Sequence, residues 1–333
     1  MNRRYQILIL ILLFFNVALW MAMKHFTPKS QAGFYQEKMQ AIELAQQAHA
    51  IIGEQLLGEE FTFATTTLAP RKAKELSAHP DFAALAVEYL RKAGIKHGDK
   101  VAVNFSGSFP GLNISVLAAM QTIGAQPLIV SSAGASTWGA NRPEFMWPDM
   151  ESKLVSSGIW QWQSLAASLG GVNDNGGGLM PEGKELLRQS IVRNNKKLLV
   201  PQTLQQAIDM RLELYRAHNS GPLPKALINV GGNHVIFGKM GHKTPLKEGL
   251  SQGYDFTLNR HDGLAQEFIK NNRPVIHFIN IERLAAKYNI KPNIVAKSSV
   301  LYEQHATIWQ RLCLLVAVIG NFGILYRFRP NGG

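Results

Sequence analysis

Ser106 and Ser108 close an apolar run and precede Pro110 and Gly111, and His234 follows Gly231, Gly232 and Asn233. A serine hydroxyl becomes a nucleophile when a neighbouring base takes its proton, so these residues pose acyl-transfer chemistry, with Ser106 or Ser108 attacking and His234 as base. Such a serine usually sits on a strand-to-helix elbow of the form G-x-S-x-G. Here the run is Asn104-Phe105-Ser106-Gly107-Ser108, which lacks both flanking glycines. The sequence therefore fixes no catalytic residue and leans away from an enzyme.

The same positions suit a simpler task. Three loops rich in small residues, Ser106–Gly111, Ser131–Asn141 and Gly231–His234, each follow an apolar run of strand length. Small residues let backbone approach a ligand, and helix N-termini there offer unpaired amide donors to an anion such as a carboxylate or phosphate. The expected contacts are Ser106, Gly107, Ser108, Gly111, Ser131, Ser132, Gly134, Gly231, Gly232 and Asn233. The competing explanation is that glycine and serine merely build tight turns between strands and helices. His234, His242, His261, Asp255 and Asp262 have no metal-site spacing, and neither H-E-x-x-H nor C-x-x-C occurs, so no metal and no cofactor are expected. Trp138, Trp147, Trp160 and Trp162 could stack on a sugar or polymer, although packing in a core or at an interface is the commoner use.

The elements that must position these loops are legible in outline. Helix is expected over Asp81–Ala93, ending at Gly94, then strand over Lys100–Phe105, helix over Leu112–Ile123 ending at Gly124, and strand over Gln126–Val130. That succession marks a parallel βαβ unit. Further strands are expected over Ala226–Val230 and Pro274–Ile279. Helices are expected over Pro181–Arg193, Thr203–His218 and Glu282–Tyr288, and Gly170–Gly178 reads as a flexible loop. The fold class is α/β: a parallel-sheet, Rossmann-like three-layer domain over residues 27–305, entered by an amphipathic stalk helix at 34–57.

Both ends are strongly apolar. Residues 7–23 and 309–326 are expected to be transmembrane helices, with residues 1–6 and 327–333 as cytoplasmic tails carrying Arg3, Arg4, Arg327 and Arg329. A cleaved signal peptide and a buried C-terminal core helix are the respective alternatives. On this reading the chain sits in a bacterial inner membrane, with the lipid bilayer as a partner and the main domain periplasmic or extracellular. Its single cysteine, Cys313, leaves that domain without a disulfide. With 46% apolar and 17% charged residues the chain is not a disordered one. The formal charge of +12, or +8 once the four tail arginines are set aside, suits an anionic partner. No helix-turn-helix, zinc-finger or aromatic RNA-binding pattern is present, so nucleic acid is not expected.

The stretches VAVNFSGSFPGLNISVLAA, VSSAGASTWGANRPEFMWPDME, DNGGGLMPEG and ALINVGGNH, between apolar ends, resemble the bacterial poly-γ-glutamate system protein family, most specifically over Asn104–Glu151. The resemblance implies an accessory role in making or exporting a poly-γ-glutamate capsule, beside synthase and export membrane subunits and in contact with the polymer itself. It carries no catalytic residues. A hydrolase of γ-glutamyl or peptidoglycan bonds with a serine nucleophile is the alternative. Gly94-Ile95-Lys96-His97-Gly98-Asp99 also looks like the turn that opens adenylate-forming enzymes. Those need a phosphate loop ending in lysine, which Ser131–Asn141 lacks, and an exported domain would lack ATP.

Overall fold

The computed structural model describes residues 3–26, 33–239, 246–253, 262–291, 299–302 and 308–327. The helices are α1 (Arg3–Phe26), α2 (Tyr35–Ile52), α3 (Arg71–Ser77), α4 (Asp81–Lys92), α5 (Pro110–Ile123), α6 (Trp147–Ser156) and α7 (Pro181–Arg193). They continue with α8 (Leu204–Ala217), α9 (His234–Phe237), α10 (Leu264–Lys270), α11 (Ile281–Tyr288), α12 (Ser299–Tyr302) and α13 (Ile308–Arg327). The strands are β1 (Thr65–Thr67), β2 (Lys100–Ser106), β3 (Gln126–Ser132), β4 (Ala135–Ser136) and β5 (Asn141–Arg142). After them come β6 (Phe145–Met146), β7 (Ala166–Ser168), β8 (Leu227–Val230), β9 (Gly249–Ser251) and β10 (Val275–Phe278). Phe34–Leu301 forms one compact unit, and the two chain ends form another.

Local sequence explains the elements around the sheet. In α4, Asp81 lies in the first turn and Arg91 and Lys92 in the last, which complements the helix dipole. In α5, Pro110 takes a first-turn position where its missing N–H costs nothing, and Gly124 ends the helix in the left-handed region at φ 75°. Thr203 caps α8 by accepting from Gln206 N at 3.2 Å. Strand β2 is buried at every residue beyond Lys100, as a central parallel strand covered on both faces must be.

The main sheet runs β7-β3-β2-β8-β10-β9, all parallel except β9, which is antiparallel to β10. The chain winds outward from β2 through β3 to β7, then returns to the other side of β2 through β8 and β10. The order thus reverses between β2 and β8, the arrangement expected of a Rossmann-like domain. Helices cover both faces. α8, α9 and α10 pack on Ala102, Leu128, Val130, Leu227 and Val275. α2, α4 and α5 pack on one another and, through α5, on β2 and β3. Phe105, on the opposite side of β2 from Ala102, meets Trp147 edge-on with centroids 5.7 Å apart. The short strands β1, β4, β5, β6, β7 and β9 have no counterpart among the expected elements.

A line of buried polar side chains crosses this otherwise apolar sheet. Arg211 of α8, with no solvent exposure, donates to Asp174 Oδ2 at 2.6 Å, Asn104 Oδ1 at 3.1 Å and Ser168 Oγ at 3.0 Å. Ser132 Oγ donates to Asp174 Oδ1 at 3.1 Å. Asn104 Nδ2 donates to Asn229 Oδ1 at 2.6 Å, and Asn229 Nδ2 lies 2.8 Å from His277 Nδ1. One residue from each of β7, β3, β2, β8 and β10 is thereby connected. Asp174 belongs to the Gly170–Gly178 segment, which corrects the expectation of a flexible loop. The segment is folded back through Gly176 N to Gly170 O and Val172 N to Gly177 O, and Asp174 is buried.

The unit formed by the ends corrects a larger expectation. α1 and α13 are helical and pack together, with Asn321 Nδ2 donating to Asn16 Oδ1 at 2.8 Å. Among the described residues, however, no helix is long and apolar enough to cross a membrane. The apolar runs, 17 residues over Ile7–Met23 and 15 over Leu312–Tyr326, would extend only about 26 and 22 Å at ~1.5 Å per residue, against a ~30 Å hydrocarbon core. Each also carries an asparagine. The transmembrane helices, the inner-membrane location and the tail and periplasmic assignments built on them are therefore withdrawn.

Breaking a buried ion pair by removing one partner leaves an uncompensated charge. Asp174→Asn should lower unfolding stability by about 3 kcal/mol or more in denaturant titration, whereas removing the exposed Arg188–Glu185 pair should change it by under about 1 kcal/mol. Equal effects would mean that the buried network does not hold the sheet.

Candidate functional site

Where strand order reverses, the loops after β2 and β8 diverge to opposite faces and leave a crevice beyond the strand ends. That crevice, about 590 Å³, is lined by Thr66–Pro70 between β1 and α3, by Ser106, Ser108 and Phe109 after β2, and by Ser132, Gly134 and Ser136 after β3. Gly170–Val172, Gly232–His234, Ile279 and Asn280 complete it. The three loops singled out in the sequence converge here, and Ser106, Ser108, Ser132, Gly134, Gly232, Asn233 and His234 all line it.

Gly107, Gly111, Ser131 and Gly231 do not line it. A Cβ on Gly107 would come within 2.6 Å of Ala133 O, and one on Gly111 within 2.7 Å of Ala78 Cα. These glycines are required by close backbone packing rather than by a ligand. Ser131 is buried and accepts from Ser164 Oγ at 3.0 Å. Gly231 sits at φ 91°, a backbone conformation that L residues rarely adopt, and starts the turn into α9.

The expected serine–histidine arrangement does not assemble. Ser106 Oγ accepts from Ser108 N at 3.2 Å, and Ser108 Oγ accepts from Ser136 N at 3.0 Å. Among the described residues no hydrogen bond joins His234 to either serine. Asn233 is the more telling neighbour. Its Oδ1 caps α9 by accepting from Ile236 N at 3.1 Å, while its Nδ2 is buried and has no partner among the described residues. A buried amide donor left unpaired costs about 1–3 kcal/mol unless a ligand accepts from it.

One functional candidate escaped the sequence. Lys74, in the short helix α3, is buried, and its Nζ donates to Ser136 Oγ at 2.6 Å and to Ser108 O at 2.5 Å. The ammonium also lies 3.7 Å from the centroid of the Phe109 ring. Burial strips water from this amine and holds its pKa well below the ordinary lysine range, at about 7. Nothing in RKAKELS marks Lys74 apart from the basic residues around it, and its partners lie 34 and 62 positions away.

Among the described residues no group of histidine, cysteine or acidic side chains could hold a metal ion. His242, His261 and Asp255 lie outside the described residues, and Asp262 accepts from Lys239 N at 2.9 Å. Trp147 and Trp160 are core residues, while Trp138 adjoins a separate shallow depression with the Arg71 guanidinium 4.9 Å from its ring. No protein-family model matches the chain, and no curated protein matches its sequence.

The lowered Lys74 pKa has a signed consequence. Below about pH 7 the folded protein must bury a charged amine, and this cost fades as pH rises towards the ordinary lysine pKa of 10.5. Wild-type stability should therefore gain from this group up to about 1.4 kcal/mol per pH unit across that window. Lys74→Met should be stabilised most below pH 7, with its advantage shrinking near pH 10, as read by denaturant midpoints. An advantage independent of pH would show that the amine is not deprotonated in the fold.

Proposed function

We propose that the Phe34–Leu301 unit is an accessory binding domain of poly-γ-glutamate synthesis or export, which holds a γ-glutamyl segment in the crevice at the β2–β8 reversal and works beside the synthase and export subunits. The observation that carries this proposal is the convergence of hydroxyl and amide donors on one crevice, with Asn233 Nδ2 buried at its wall and unpartnered among the described residues. A polymer with a carboxylate at every residue supplies the acceptors these groups lack. The excess of basic side chains, +12 overall, favours capture of such a polyanion from a distance. The quoted motifs supply the biological setting by resemblance. The alternative, a serine hydrolase of γ-glutamyl or peptidoglycan bonds, is not favoured through Ser106 or Ser108 with His234, since those side chains are not joined.

The full-length protein should be retained on immobilised poly-γ-glutamate at low ionic strength and released by salt. Asn233→Asp keeps the oxygen that caps α9 but replaces the free donor with a like charge, and it should weaken retention by about tenfold or more. Absence of wild-type retention at every ionic strength, or full retention by the variant, would overturn this assignment of the crevice.

A further inference from the structure

Three lysines are buried in the described structure, and two of them have carboxylate partners: Lys38 pairs with Glu88 and Lys196 with Glu151. Lys74 has none among the described residues. Its charged form gains only two oxygen acceptors and an aromatic face, which is a poor exchange for its lost hydration. An amine placed in that way is suited to being neutral and therefore basic. Its closest hydroxyl is Ser136 Oγ, and the two residues differ in position: Ser136 lines the crevice, whereas Lys74 stands behind it. Two residues further on, Trp138 is in the left-handed region at φ 62°, an uncommon conformation for a bulky side chain and one that the surrounding fold must enforce.

We propose that Ser136 and Lys74 form a serine–lysine pair that cleaves an acyl bond held in the crevice, with Ser136 as nucleophile and Lys74 as its base. That the acyl group is a γ-glutamyl amide rests on the function proposed above; the pair itself does not. In the first half-reaction the Ser136 Oγ–H proton passes to neutral Lys74 Nζ as Oγ bonds to the carbonyl carbon. The tetrahedral adduct then re-forms its C=O and expels the amine, which takes the proton back from Lys74. An ester on Ser136 remains. In the second half-reaction a water molecule gives its proton to Lys74 Nζ and attacks the ester carbon. The carboxylic acid leaves, and the proton returns to Ser136 Oγ. The sum is amide plus water giving acid plus amine, with no change in oxidation state.

The pair can be tested without knowing the natural substrate. Full-length protein is treated with a fluorophosphonate probe, which phosphonylates an activated serine with loss of fluoride, and the labelled peptide is located by mass spectrometry. The expected result is a single label on Ser136, abolished in Ser136→Ala and slowed about a hundredfold or more in Lys74→Met, since a positioned base contributes roughly that factor. Lys74→Arg retains a charge and donors but cannot act as a base at neutral pH. It should also lose the label, whereas a purely architectural lysine would let it label at the wild-type rate. Each variant is first shown to be folded by its thermal transition. No label on Ser136 in folded wild type, or wild-type labelling of Lys74→Met, overturns the pair. Label without polymer retention keeps the pair and rejects the γ-glutamyl ligand; retention without label does the reverse.

Discussion

A guanidinium with no exposure to water needs acceptors in fixed places, and meeting that need for Arg211 organises the sheet. Its partners come from β2, β7 and the Gly170–Gly178 turn, and Asp174 in turn holds Ser132 of β3. Through Asn104 and Asn229 the same network reaches β8 and His277 of β10. A parallel strand could otherwise slip against its neighbours with modest loss of apolar contact. A polar residue on each of five strands, each satisfied by the next, permits one register only.

Fixing the register fixes what lies just beyond it. Ser132 ends β3, Ser168 ends β7, and Asn104 stands two residues before Ser106, so the network lies at the carboxyl edge of the sheet, where the crevice opens. The donors in the crevice wall are held from beneath by charged and amide groups rather than by loop packing alone. This arrangement costs stability elsewhere: a buried ion pair and, among the described residues, a buried amine without a carboxylate and an unpaired Asn233 amide are all features that a purely architectural domain would avoid.

Much of this was legible from the chain. β2, β3, β8 and β10 are apolar runs of strand length, and the helix after β2 begins at Pro110 and ends at Gly124, as those residues require. The convergence of the three glycine- and serine-rich loops followed from a sheet rule rather than from any motif. β7 and β9 were not legible, because three residues such as Ala166–Ser168 carry no periodicity. The Gly170–Gly178 segment misled because glycine content suggests freedom, while Asp174 is fixed by an arginine 37 positions away. At the chain ends, composition outweighed length: the residues are apolar, but the runs fall short of a bilayer. Lys74 was invisible because only tertiary packing buries one lysine among several.

The claim on which all of this turns is that the crevice at the strand reversal is where the protein meets its ligand. Amide hydrogen exchange of the full-length protein with and without a short γ-glutamyl oligomer tests it directly. Slowed exchange confined to Ser106–Gly111, Ser131–Asn141 and Gly231–His234 is the predicted result, and protection confined to segments outside these loops, or no change at saturating oligomer, would contradict it.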